Sequence, residues 1–337
     1  MKYRKLGRTD LEVSCIGFGG LGLPALSKPQ AEAILNRALD LGMNFIDTAR
    51  GYRESENLIG RAVAHRRKEY YLATKSRART RDEVMKEFEA SLQHLKTDYI
   101  DLYQIHYINT NQELDQVLEE DGLLSVFQEL QAQKAAGFIG ISGHDAGVLL
   151  RAARTGHFDT IQGAFSYLEN DKKILDLIHY CSSSNIGFIV QKPLAGGVLA
   201  PARAALKWIL QHPVSTVIPG MLTLEQVNEN AGVAEGEYSL ASIEKEQLDH
   251  TVANLDRYFC RRCYYCHPAC PENIPIGVIL EYFAKAQVPE NLEMCRKGYR
   301  RRKSNALHCT ECGQCLDACP YHLPIIDMLK QAHQLLA

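Results

Sequence analysis

Residues 29–60 read PQAEAILNRALDLGMNFIDTARGYRESENLIG. Apolar residues recur every three or four positions from Ala31 to Leu41, the spacing of a helix that buries one face. The pattern stops at Gly42, and the run MNFID from Met43 is short and apolar, as a buried strand is. A polar segment, TARGYRE, follows it, and the helical spacing resumes in SENLIGRAV from Ser55. Helix, buried strand, polar loop and helix make the repeating unit of a parallel α/β fold.

Outward from this stretch the alternation continues in both directions. Further apolar runs are VSCIGFG from Val13, YYLATK from Tyr70, YIDLYQIH from Tyr99, FIGIS from Phe138, TIQGAF from Thr160, IGFIVQK from Ile186 and STVIPG from Ser215. With MNFID they make eight expected strands, separated by helical patterns such as RDEVMKEFEASLQHL from Arg81. Eight such units predict a (β/α)8 TIM barrel, an α/β fold whose active site lies where the strands end. A doubly wound sheet would open on G-x-G-x-x-G before a helix, and GFGGLGLP at Gly17 does not spell it. Polar side chains close the expected strands: Asp47 the second, Lys75 the third and His106 the fourth, with Tyr52 five residues past Asp47. A barrel brings all four to one rim.

The segments NFIDTARGYRESENLIG, LATK and LYQIH resemble the aldo-keto reductases, and the likeness runs from MKYRKLGRTDLEVSCIGFG through IPGMLTLEQVNEN. The resemblance implies an NAD(P)H-dependent oxidoreductase that reduces a small-molecule aldehyde or ketone, with Asp47, Tyr52, Lys75 and His106 as its catalytic tetrad. Tyr52 would be the general acid: a free tyrosine has a pKa of about 10, and a lysine cation nearby is expected to lower it. Asp47 would keep Lys75 charged and oriented, and His106 would position the carbonyl. The resemblance also implies Ser142 and Gln162 at the nicotinamide carboxamide, Phe165 stacked on the ring and Lys192 at the pyrophosphate. Gly143 stands where many members have Asn. Where the family often supplies Lys or Arg to the 2′-phosphate, this chain has Gly220, Met221 and Gln226, with Glu229 and Asn230 at the adenine end. NADP and NAD therefore both stay open as cofactor.

A second signal sits near the C-terminus, where CRRCYYCHPACP (260–271) and CTECGQCLDACP (309–320) write one frame twice. Each is C-x2-C-x2-C-x3-C-P, the spacing by which bacterial ferredoxins hold two clusters, the fourth cysteine of each run serving the other cluster. Every cysteine of the second frame follows its counterpart by 49 residues, as 309 follows 260, and CPENIPI and CPYHLPI extend the repeat. Two [4Fe-4S] clusters are expected: one on Cys260, Cys263, Cys266 and Cys319, the other on Cys309, Cys312, Cys315 and Cys270. Zinc is the rival reading, and the spacing counts against it, because structural zinc sites favour two separated CxxC pairs over triplets with a distant fourth cysteine. The intervening IGVILEYFAKAQ and NLEMCRKGYRR read as helices, so the segment resembles the α-helical type of two-cluster ferredoxin. Cys15, Cys181 and Cys295 read as core packing.

Composition bounds the rest. The 337 residues are 23% charged and 46% hydrophobic, ordinary values for a large domain with a small one attached, expected as a barrel over 1–257 and an iron-sulfur domain over 258–337. A formal net charge of −2 gives no basic excess for a nucleic-acid partner, and no apolar run is long enough to cross a bilayer. MKYRKLGRTD lacks the apolar core of a secretory signal, so a cytoplasmic location with reduced thiols is expected. Three roles remain open for the clusters at this point. They could be structural beside a carbonyl reductase, could pass electrons from a ferredoxin or other electron carrier, or could sense redox state beside a nicotinamide-binding barrel. RKGYRRRKSN (296–305) reads as a solvated face or as a docking patch for an acidic carrier.

Overall fold

The short apolar runs become strands because each is bounded by polar or glycine-rich chain and is too short for a stable buried helix. In the computed structural model, which describes residues 1–255, 259–260, 266–319 and 322–337, β1 (Tyr3–Lys5) and β2 (Glu12–Ser14) form an antiparallel hairpin. Eight parallel strands then pair strictly in chain order: β3 (Phe18–Gly19), β4 (Phe45–Asp47), β5 (Tyr71–Ser76), β6 (Ile100–Ile105), β7 (Ala136–Ser142), β8 (Thr160–Ala164), β9 (Gly187–Gln191) and β10 (Thr216–Val217). The ends of the sheet meet, since Ile16 bridges Val217 and Gly17 N–H donates to the Val217 carbonyl at 2.8 Å. The expected (β/α)8 barrel is therefore closed, leaving no open sheet edge.

The connections are helical: α1 (Lys28–Asp40), α2 (Ser55–Val63), α3 (Arg81–Leu95), α4 (Asn111–Leu118), α5 (Leu123–Ala132), α6 (Ala146–Arg154), α7 (Lys172–Ser183), α8 (Ala202–Leu210) and α9 (Leu224–Val233). In α1 the residues that set the spacing, Ala31, Ile34, Leu35, Ala38 and Leu39, are the buried ones, and Ser27 with Gln30 caps the first turn. Each large aliphatic side chain buried this way contributes about 1.5–3 kcal/mol.

One expected strand divides. VSCIGFG splits between β2 and β3, because the hairpin folds under the barrel and lends it Leu6 and Val13. These pack with Phe45, Ala73, Leu102, Ile189 and Ile218 in one buried cluster. Asn44 fastens the hairpin, accepting from Ser14 N at 2.6 Å and donating to the Glu12 carbonyl at 2.8 Å.

Contacts divide the chain into two compact units, Met1–Pro193 with Ala202–Ala241, and Leu194–Pro201 with Ser242–Ala337. The expected boundary between 257 and 258 lies outside the described residues. The second unit contains α10 (Ser242–Leu255), α11 (Ile276–Lys285), α12 (Leu292–Arg300), α13 (Gln314–Asp317) and α14 (Ile325–Leu336). Its core gathers Ile279, Leu280, Phe283, Cys295, Tyr299, Met328, Leu329 and Leu336.

The 49-residue repeat is also a repeat of backbone shape. Asn273 and His322 are left-handed, with φ of 50° and 51°. Pro275 and Pro324, which start α11 and α14, have φ, ψ of −75°, 64° and −75°, 65°. Asn273 N–H donates to the Cys270 carbonyl and His322 N–H to the Cys319 carbonyl, both at 3.1 Å. The fourth cysteine of each frame thus accepts the same backbone hydrogen bond.

Candidate functional site

Strand alternation stacks the barrel interior in layers. Phe45, Ala73 and Leu102 form an apolar layer. Two residues further along the same strands come Asp47, Lys75 and Gln104, all buried. Lys75 Nζ donates to both carboxylate oxygens of Asp47 at 2.7 Å and to the Thr48 carbonyl at 2.6 Å. The ammonium lies 5.2 Å from the centre of the Tyr52 ring, and the Tyr52 and His106 rings meet edge-on at 5.7 Å. All four candidate catalytic residues are therefore brought together.

The electrostatics differ from expectation at Tyr52. Burial at the barrel mouth takes the phenol out of water and raises its pKa by more than Lys75, as anticipated, pulls it down, so the net shift is upward. Tyr52 keeps its proton at neutral pH. Burial and the neighbouring cations Lys75 and Arg77 push His106 down to about 2, so its imidazole is neutral. Burial raises Asp47, opposed by Lys75.

Several polar residues that complete this layer were not singled out from sequence. Gln104 Nε2 donates to Gln162 Oε1 at 2.8 Å and reaches Asp47 Oδ2 at 3.4 Å, linking the ion pair to β8. Its signal was a glutamine two residues before His106 in a strand expected to be buried. Glu56, fully buried on α2, accepts from Arg50, from Thr74 Oγ1 at 2.7 Å and from Ser91 Oγ at 2.8 Å. This network ties the loop that carries Tyr52 to β5 and α3. Nothing in the local sequence announces it, because Thr74 and Ser91 are remote along the chain.

The candidate cofactor residues are less uniformly placed. Ser142 and Gln162 are paired across β7 and β8 and buried. The Ser142 hydroxyl accepts from Tyr107 N–H at 3.2 Å. Gln162 Nε2 lies near enough to Asp47 to favour its charge, yet makes no hydrogen bond of good geometry. With Gln104 Oε1 and His106 Nδ1 it leaves the layer with unmet hydrogen-bonding capacity among the described residues, which fits a polar ligand at the mouth. Phe165 is fully buried beneath α8, tilted on Trp208 at 5.1 Å and edge-on to His212 at 4.9 Å. Lys192 follows β9 in a left-handed conformation, with φ of 53°. Gly220 is exposed, Met221 is buried, Gln226 Oε1 accepts from Leu222 N–H at 2.7 Å, and Asn230 is buried on α9. At Gly143 an added Cβ would lie 2.2 Å from the Ile108 carbonyl oxygen, which explains why no larger residue stands there.

In the second unit, Cys270, Cys309, Cys312 and Cys315 line one small cavity with Ile274, Ile276, Ile326 and Leu329. Burial raises the Cys315 thiol, and its three companion cysteines raise it further, which marks them as neighbours. Among the described residues no three His, Cys, Asp or Glu side chains converge on a point that would hold one metal ion. A [4Fe-4S] cluster asks for something else, four thiolates around a core in an apolar cavity, and these four residues fit it. Of the other expected set, Cys266 and Cys319 are buried and Cys260 partly so, while Cys263 lies outside the described residues. Cys15, Cys181 and Cys295 are fully buried within the cores of their units. No helix of the chain is long and apolar enough, among the described residues, to cross a membrane.

Comparison with known proteins finds two families along the chain. Residues 15–203 match the model of the aldo/keto reductase family, and residues 259–323 match that of a 4Fe-4S dicluster domain. The chain is 30% identical over 306 residues to L-galactose dehydrogenase of Arabidopsis thaliana, covering 76% of this chain and 95% of that protein. It is 31% identical over 221 residues to the aldo-keto reductase yakc [NADP(+)] of Schizosaccharomyces pombe, covering 59% and 63%. Among solved structures, aldo-keto reductase AKR11C1 from Bacillus halodurans in its holo form superposes with a TM-score of 0.65 at 26% identity, covering 74% of this chain and 96% of that one.

Proposed function

Because the chain belongs to the aldo/keto reductase family, we propose that it reduces an aldehyde or ketone with NADPH or NADH, Tyr52 being the general acid. One observation carries this reading: the buried Lys75 ammonium, held by Asp47, stands 5.2 Å from the Tyr52 ring. A nicotinamide bound at the mouth supplies the hydride. Tyr52, protonated at neutral pH, gives its proton to the carbonyl oxygen. Lys75 then offsets the charge of the phenolate that remains, and Asp47 keeps that lysine ionised in a buried site. Neutral His106 orients the carbonyl oxygen towards Tyr52. Ser142 and Gln162 are the residues for the carboxamide and Lys192 for the pyrophosphate. The lack of a Lys or Arg among 220–230 supports no preference for the 2′-phosphate.

The C-terminal frames hold two [4Fe-4S] clusters in this reading, with exchanged fourth ligands, and the common cavity of Cys270 with Cys309, Cys312 and Cys315 supports the exchange. Such clusters pass electrons singly, whereas a nicotinamide gives a pair as hydride, so the clusters are structural or serve a separate electron carrier. Tyr52→Phe tests the chemistry. It should lower carbonyl reduction by about 10²–10⁴-fold while nicotinamide binding, followed by fluorescence titration, persists. Turnover at the wild-type rate would remove Tyr52 from the mechanism.

A further inference from the structure

The loops at the barrel mouth carry several arginines, most of them engaged. Arg50 is bound to Glu56 and His94, and Arg79 donates to the carbonyls of Arg77, Ala78, His106 and Tyr107. Arg77 differs. It stands two residues past Lys75, and a Cβ at Gly51 would meet its Cδ at 4.0 Å. Its guanidinium carbon lies 4.7 Å from the centre of the Tyr107 ring. Gly51 precedes Tyr52 and Tyr107 follows His106, so Arg77 spans the gap between the segments that carry these two groups. Its charge is felt by both side chains. Among the described residues it forms no ion pair and donates no hydrogen bond to another side chain. A guanidinium over an aromatic ring is steadied there while its donors stay available, and that planar fork suits a carboxylate.

We propose that Arg77 is a specificity residue and that the substrate is an anionic carbonyl compound, an aldehyde or ketone bearing a carboxylate. This rests on the reading of Tyr52 and His106 as the groups that meet the carbonyl oxygen. The carboxylate pairs with Arg77 while the carbonyl faces Tyr52. Fixing the substrate at both ends restricts the angle at which its carbonyl presents to the mouth. The uncompensated cation also repels cationic substrates of the same size, so the selection is two-sided.

The test compares substrates matched in shape and different only in charge: 4-formylbenzoate with 4-formylbenzamide, and 4-oxobutanoate with its amide. Wild-type protein, purified anaerobically, should favour each acid in kcat/KM by about tenfold or more at low salt, through KM, the usual scale of one charge-assisted contact. In Arg77→Gln the ratio of acid to amide should fall to about one, and Arg77→Lys should restore part of it. Equal use of acid and amide by the wild type, or a preference that survives in Arg77→Gln, overturns the proposal. Calorimetric binding of benzoate and benzamide gives a readout without turnover. Benzoate should bind more tightly, and the difference should vanish in Arg77→Gln. If neither aldehyde is reduced but the benzoate preference depends on Arg77, the reductase reading fails and the anion site stands. If both aldehydes are reduced and calorimetry shows no preference, the anion site fails alone.

Discussion

The buried histidine at the mouth makes a prediction that depends on no ligand. In the folded protein His106 stays neutral down to about pH 2, whereas in the unfolded chain it takes up a proton near its ordinary 6.5. The unfolded state therefore binds more protons in that window. Stability on this account is full above pH 6.5 and falls as the pH drops towards 2. At pH 5 the loss from this group is about 2 kcal/mol, at 1.36 kcal/mol per pH unit. In His106→Gln, urea unfolding measured between pH 7 and pH 5 should show a mean slope smaller by about 0.7 proton than in the wild type. Equal slopes would contradict the burial argument. At this scale the sequence was informative where side-chain type and strand end coincide, as at Asp47, Lys75 and His106. It was silent where a residue matters through neighbours remote along the chain. Glu56 depends on Thr74 and Ser91, Arg77 on Tyr107, and Gln104 on Gln162.

Among the elements, α2 and α3 match their expected bounds, Ser55–Val63 and Arg81–Leu95, because amphipathic spacing ends sharply where the chain turns. The first expected strand split because a seven-residue apolar run cannot reveal that its two halves face different partners, one the hairpin and the other the barrel. The loop after β7 shows a further limit. Gly143 read from sequence as an Asn position lacking its side chain, and the structure gives the reason in the close approach of the Ile108 carbonyl. Ile108 N–H also donates to the Ser142 carbonyl at 2.9 Å, so the two loops are latched together there. Gly143→Asn should accordingly not gain a carboxamide contact. Forcing a side chain against backbone should cost about 1–3 kcal/mol and lower the melting temperature. A variant as stable as the wild type, with tighter nicotinamide binding, would show that the loops can part.

For the whole molecule, the repeat at 49 residues was legible because cluster ligands are spaced rigidly, and the backbone carries the same period in its paired left-handed residues and prolines. The grouping of Leu194–Pro201 with the C-terminal unit was not legible, since no residue in LAGGVLAP marks it. Exchanged ligands make a prediction at this scale. Anaerobically prepared protein should carry about eight irons, and Cys319→Ser should lose about four of them. On alkylation followed by mass spectrometry, Cys260, Cys263 and Cys266 should become reactive while Cys309, Cys312, Cys315 and Cys270 stay protected. Reactive Cys309, Cys312 and Cys315, with Cys260, Cys263, Cys266 and Cys270 protected, would mean that each frame binds its own metal. Hydride chemistry in the barrel, with the clusters off that path, can be tested by isotope transfer. The anaerobic holoprotein is given a carbonyl substrate and NADPH or NADH carrying deuterium at either face of C4. The label from one face should appear at the former carbonyl carbon, about one deuterium per alcohol formed, unchanged in Cys319→Ser. Alcohol formed without label from either face, or formed only when reduced ferredoxin replaces the nicotinamide, would contradict it.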